Sequence, residues 1–203
     1  MSTEVSAEDV KALRERTGAG IMDSKAALKE AEGDVNRAIE ILRVKGQAAA
    51  AKRSGRGTGE GVIGSYVHTD RRIGVLVEVQ CETDFVARTE EFQDFAYEVA
   101  LHVAASDARY VSADEIPDEA REAERKVLED RAREDGKPDD VIGKIVDGQL
   151  AKWTRDVTLL EQEHVNVDKH ESKTIEELRT EISAKTGENV RIARFVKYRV
   201  GEE

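Results

Sequence analysis

Four apolar residues spaced by two, Ile73, Val75, Val77 and Val79, constrain this chain more than any other feature. Strict alternation puts all four side chains on one face of an extended strand, so the chain must build a sheet with a covered side. A shorter run, Val62, Ile63, Tyr66 and Val67, precedes it across a turn at residues 68–72, and the two read as an antiparallel hairpin. Val190, Ile192, Phe195 and Tyr198 read as a closing strand whose phase changes near its middle. Most other apolar residues recur three or four apart, the spacing of one helix face. The expected fold class is α+β: an antiparallel three-stranded sheet covered by helices, with a small three-helix module before it.

The module occupies residues 1–46. Ser6 with Asp9 resembles a capping box ahead of Val10 and Leu13. Residues 17–20 (TGAG) break that helix, because glycine readily adopts the left-handed backbone that ends one. Asp23 is the expected cap of a second helix carrying Ala27, Leu28 and Ala31 and ended by Gly33, and Asp34 caps a third with Val35, Ala38, Ile39 and Leu42. Residues 47–61 extend the third helix and then become a flexible, glycine-rich linker. Its glycines do not make a phosphate loop: the segment follows a helix and precedes a strand, and lacks the Gly-Lys-Ser/Thr ending. Residues 62–203 form the α+β core domain.

Within that core, Phe92, Phe95, Ala96, Val99 and Val103 define one helix. A second starts at Pro117, with Ala120, Ala123 and Val127 on its narrow apolar face. The longest amphipathic run carries Ile142, Ile145, Val146, Leu150, Trp153, Val157 and Leu160. Thr174 and Glu177 form a capping box for a last helix with Ile175, Leu178 and Ile182, stopped at Gly187.

Composition removes several functions. The net charge of −11 is not that of a general nucleic-acid binder, so no direct nucleic-acid contact is expected. Residues 112–140 alone carry 12 acidic and 6 basic side chains; they alternate in sign, as a solvated helix face does. No apolar run has the length of a membrane span and no signal segment opens the chain, which points to the cytoplasm and to no membrane partner. The single cysteine, Cys81, excludes an internal disulfide framework and reads as a buried structural thiol. His102 reads as a core residue; His164 and His170, close to loop segments, do not suggest metal ligands. No nucleophile elbow, metal-binding spacing or phosphate loop is present, so no catalytic residue, metal or cofactor is expected.

Residues 79–88 (VQCETDFVAR) place Asp84 and Phe85 where the strand pattern breaks. An aromatic at such a turn has two readings: it folds back into the core, or it stands out as a wedge for a partner.

Five segments in collinear order resemble the bacterial elongation factor Ts family. They are residues 13–28 (LRERTGAGIMDSKAAL), 64–68 (GSYVH), 81–88 (CETDFVAR), 136–138 (GKP) and 195–201 (FVKYRVG). The resemblance implies a guanine-nucleotide exchange factor that binds elongation factor Tu and promotes GDP release, with residues 1–46 similar to a ubiquitin-associated domain. It implies that Phe85 wedges into the GTPase beside Asp84, supported by neighbouring Thr83 and Val86. Arg14, Ile21, Met22 and Lys25 are implied to dock against a GTPase helix, and His68, Val165, Thr186 and Gly187 match further contact positions. The chain has one GSYxH and one TDFV segment, like the short form of the family in which two copies pair, so a homodimer is implied, with residues 62–203 as its dimerisation domain. Plainer readings stand beside these: His68 as a turn residue, Met22 as a staple between helices, Lys25 as a solvated side chain, Gly187 as a helix cap. A rival reading makes the chain a ubiquitin-associated-type protein-binding adaptor, which leaves the TDFV segment and the hairpin without a task.

Overall fold

In the computed structural model, which describes residues 5–202, the alternating run becomes the central strand of the sheet. Strand β1 (Glu60–Val67) pairs antiparallel with β2 (Ile73–Cys81), and β2 pairs antiparallel with β3 (Arg191–Arg199). Val75, Val77 and Val79 are buried on one face, as the alternation requires. The phase change expected in the third strand is a β-bulge: Glu78 pairs with Arg194 but Val79 with Ile192, which leaves Ala193 unpaired. The extra residue lets Ile192 and Phe195, three apart, both meet the core. Beyond the bulge the alternation carries Tyr198, opposite Gly74, to the outer face, 71% exposed.

Nine α-helices are present among the described residues. Helix α1 (Ala7–Thr17) is capped by Ser6, α2 (Ile21–Glu30) follows the break at Gly18, and α3 (Val35–Arg53) is capped by Asp34. Asp23 does not cap α2: the helix opens at Ile21, one turn earlier than its first acid suggests, with Gly20 in the cap position. Val10, Leu13, Ala27, Leu28, Ala31 and Ala38 form the core of these three helices. The sheet's covered face packs against α5 (Glu90–Ala105) and α9 (Ile175–Thr186) through Phe92, Phe95, Ala96, Val99, Ile175 and Ile182. Gly64 lies where β1 crosses α5, and a Cβ there would run into the Ala96 carbonyl. Thr174 and Glu177 close both halves of the capping box at the start of α9.

Helices α6 (Asp118–Glu134) and α7 (Asp139–Val157) pack on each other through Leu128, Ala132, Ile142 and Val146. The face expected for α6 is therefore offset by one residue, since Val127 is 60% exposed and Ala123 is exposed as well. Helix α6 has charges on all sides, so its partner α7 selects the stripe.

The three N-terminal helices are anchored to the core by specific polar contacts. Arg43 pairs with Glu177 at 2.9 Å and Arg53 donates to the Ser183 carbonyl at 3.2 Å. The glycine-rich stretch is held as well: Asn189 Nδ2 donates to the Ser54 carbonyl at 3.4 Å and the Arg56 carbonyl at 2.9 Å. No described helix is long and apolar enough to cross a membrane.

Candidate functional site

Strand β2 ends at Cys81, and the chain turns at once into the four-residue helix α4 (Asp84–Ala87). So short a helix has no stability of its own, because nucleation fixes several dihedrals for a single hydrogen bond. Its conformation comes from its surroundings. The Thr83 hydroxyl caps it by accepting from the Val86 N–H at 3.4 Å, and Asp84 pairs with Arg88 at 2.9 Å. Ala87 is buried and Val86 packs against the core, so the inward side of the turn is fixed. The outward side carries Phe85, 81% exposed. That exposure excludes the core reading of Phe85.

Beneath the turn, the Cys81 thiol donates to the Thr83 carbonyl at 3.2 Å. Burial first, and then the nearby Glu188 charge, push this thiol's pKa up. It therefore stays protonated and serves as a structural donor.

From the opposite side come Gly187, already a candidate by the family likeness, and two residues with no local signature, Glu188 and Asn189. Gly187, in the left-handed conformation at φ 73°, caps α9 and turns the chain toward α4. The Glu188 carboxylate accepts from the backbone N–H groups of Glu82 (2.9 Å) and Thr83 (3.1 Å) with one oxygen. Its other oxygen accepts from the Thr83 hydroxyl at 2.6 Å. In return, Glu82 accepts from the Asn189 N–H at 2.6 Å and pairs with Arg56 at 3.4 Å. The Asn189 hydrogen bond is the main reason that the Glu82 carboxyl sits below the usual range, with Arg56 adding to it. Thr186 and Gly187 thus lie beside the exposed turn, and Lys185, one residue earlier, abuts Gly18 in the break after α1.

The other expected contact residues are more dispersed. Ile21 (58%) and Met22 (76%) are exposed apolar side chains on α2, with Lys25 and Arg14 also exposed. Met22 is therefore no staple between helices. His68 is exposed just past the end of β1 distant from α4, where its Nδ1 lies 3.0 Å from the Tyr66 hydroxyl. Val165 is exposed on the segment between α7 and α9, and its N–H donates to His102 Nδ1 at 3.2 Å.

That contact opens a second polar cluster. His102 is 1% exposed; its other nitrogen lies 2.8 Å from the Gln162 side-chain oxygen, to which it donates. His164, also buried, accepts the Asn166 N–H at Nδ1 (3.0 Å) and donates from Nε2 to the Glu98 carbonyl at 3.1 Å. Glu98 further binds Lys169 at 2.7 Å and His170 at 3.1 Å. Glu98, His164 and His170 converge closely enough to suggest a cation site, contrary to the expectation drawn from their loop positions. The hydrogen bonds argue otherwise. A backbone N–H fixes Nδ1 of His164 as the acceptor, so its proton sits on the nitrogen facing Glu98, and the Lys169 ammonium already supplies the positive charge.

The chain matches the family described as Elongation factor TS over residues 3–202. The elongation factor Ts of Thermosipho melanesiensis is 50% identical over 98% of this chain and 100% of that protein. That of Caldanaerobacter subterraneus subsp. tengcongensis is 50% identical over 98% of both. That of Thermotoga neapolitana is 51% identical, covering 98% of this chain and 99% of its own length. Such kinship makes the protein a translation elongation factor. It belongs to the elongation factor Ts family.

Proposed function

We propose that this protein is a guanine-nucleotide exchange factor that binds elongation factor Tu and promotes GDP release, acting in the cytoplasm without catalysing a chemical reaction. The observation that carries this reading is the exposed ring of Phe85 on a braced turn, in a chain of this family. A GTPase holds its nucleotide through backbone N–H groups, a lysine and a magnesium ion at the phosphates. An exchange factor need only bind the arrangement in which that grip is loosened, and linkage makes the effect reciprocal between factor and nucleotide.

Magnitudes set the division of labour. Burying one phenylalanine is worth roughly 1.5–3 kcal/mol, whereas release accelerated 10⁴-fold needs about 5.5 kcal/mol. Phe85 therefore requires a wider interface. Arg14, Ile21, Met22 and Lys25 on α1 and α2 provide one such surface, exposed and part apolar; Asp84, Thr186 and Gly187 flank the ring. His68 and Val165 extend the contact further. The test is release of a fluorescent GDP analogue from elongation factor Tu, which this protein should accelerate strongly at micromolar concentration. Unchanged release would sink the exchange reading and leave the ubiquitin-associated-type adaptor in its place.

Two copies are expected to pair. The sheet's outer face supports this: Leu76 lies opposite Val196, Val67 and Tyr198 flank Gly74 in the next row, and all four are exposed, with Ile63 exposed beyond the Glu78–Arg194 pair. A contiguous apolar sheet face on a protein this charged needs a cover. Sedimentation should give a dimer, and Leu76→Arg a monomer; a monomeric wild type would overturn the pairing.

A further inference from the structure

We propose that Glu188 is a positioning residue for the Phe85 wedge, an inference that rests on the exchange reading above. Three donors converge on its carboxylate, and all three belong to the residues that open α4: the Glu82 N–H, the Thr83 N–H and the Thr83 hydroxyl. The hydroxyl bound by Glu188 is the same one that caps α4 through the Val86 N–H. Glu188 thus fixes the rotamer of the cap, the cap fixes the single turn of helix, and the turn fixes where Phe85 points. Glu188 is itself held: Gly187 sets its direction and the Ser183 hydroxyl donates to its carbonyl at 2.5 Å.

A carboxylate is the group this position needs. Two backbone N–H groups and a hydroxyl require three acceptor lone pairs on two coplanar oxygens, and an ionised acid forms stronger bonds to such donors than a neutral amide. Asn189 adds the reverse clasp by donating its N–H to Glu82, so the strands of chain on either side cannot slide apart independently. A wedge ordered before contact spares the complex the entropy of ordering it on binding.

The experiment measures GDP-analogue release from elongation factor Tu with Glu188→Ala, Phe85→Ala and the double variant, alongside thermal unfolding of each. Glu188→Ala alone should lower the rate at limiting exchange factor by about tenfold, with a fall of a few degrees in the unfolding midpoint from the three lost hydrogen bonds. In the Phe85→Ala background the same substitution should add almost nothing, because there is no ring left to position. Glu188→Gln, with one acceptor oxygen for three donors, should fall between and serves if the alanine variant does not fold. Wild-type speed for Glu188→Ala beside a slow Phe85→Ala would overturn this inference alone. An undiminished loss in the double variant would do the same, by showing that Glu188 acts on the partner or on the fold at large. Wild-type speed for Phe85→Ala would instead remove the wedge reading, and this inference with it.

Discussion

Phe85→Ala should slow nucleotide release by one to two orders of magnitude and leave the free protein as stable as before. The first half follows from transfer of the ring into a partner, worth roughly 1.5–3 kcal/mol, a factor of about 10 to 150 in the rate at limiting factor. The second half follows from exposure. With 81% of its surface in water, the ring contributes little to folding, and alanine suits a helical turn at least as well. Stopped-flow release and thermal unfolding of the same preparation check both halves. A fall of many degrees in the unfolding midpoint would mean that the ring is packed in solution, and the wedge would be lost. The contrast lies one residue away. Val86 and Ala87 face inward from the same turn, so substitutions there should act through stability before they act through exchange.

What could be read from sequence divides along the length of the interactions involved. Alternation in β2, the hairpin turn and the Thr174–Glu177 box are set by residues within a few positions of one another, and each has a local signature. Even the bulge at Ala193 showed, as a break in the phase of β3. Exposure of Phe85 was half legible: the strand pattern placed it on a turn, but nothing local decides whether a turn points in or out. Helix α6 shows the limit of periodicity, since charges surround it and only the facing α7 selects Leu128 over Val127. Glu188 reaches Thr83 across 105 positions of chain and His170 reaches Glu98 across 72. An acid after a helix-ending glycine and a histidine in a loop are ordinary residues until the fold supplies their partners. The family likeness did not supply them either, because it implies roles only for residues expected at a partner's surface, and Glu188 is not among them.

Those buried histidines lead to the other large expected effect: acid should begin to destabilise this protein as soon as the pH falls below about 6.5. Burial, reinforced by the charge of His164, outweighs the Gln162 hydrogen bond and pushes the His102 imidazole down to about 4. His164 is lowered too, chiefly by burial. The hydrogen bonds state the cause in atoms. Each ring accepts a backbone N–H at Nδ1, from Val165 and from Asn166, so adding a proton sets two donors face to face. The rings lie 5.4 Å apart, which makes double protonation worse still. Lys169 adds positive charge beside Glu98, whereas Glu98 itself favours the protonated rings. Since the unfolded chain binds these protons near its ordinary histidine pKa and the folded chain resists them, stability is complete above about pH 6.5 and falls as pH drops toward 4. His102 alone accounts for about 3 kcal/mol across that window. Burial tends to raise the Glu98 carboxyl, but its bonds to Lys169 and His170 prevail and hold it below the usual range. Protonating it costs further stability at the acid end, in the same direction. Urea unfolding between pH 7.5 and 4.5 should show a slope of up to about 1.4 kcal/mol per pH unit for each proton taken up. His102→Leu should flatten that slope even though it lowers stability at pH 7.5. Hydrogen exchange gives the local signature: the Val165 and Asn166 amides should lose protection before the amides of β2. A profile flat down to pH 4.5 would show that these rings accept protons without cost, contrary to the hydrogen bonds that hold the loop.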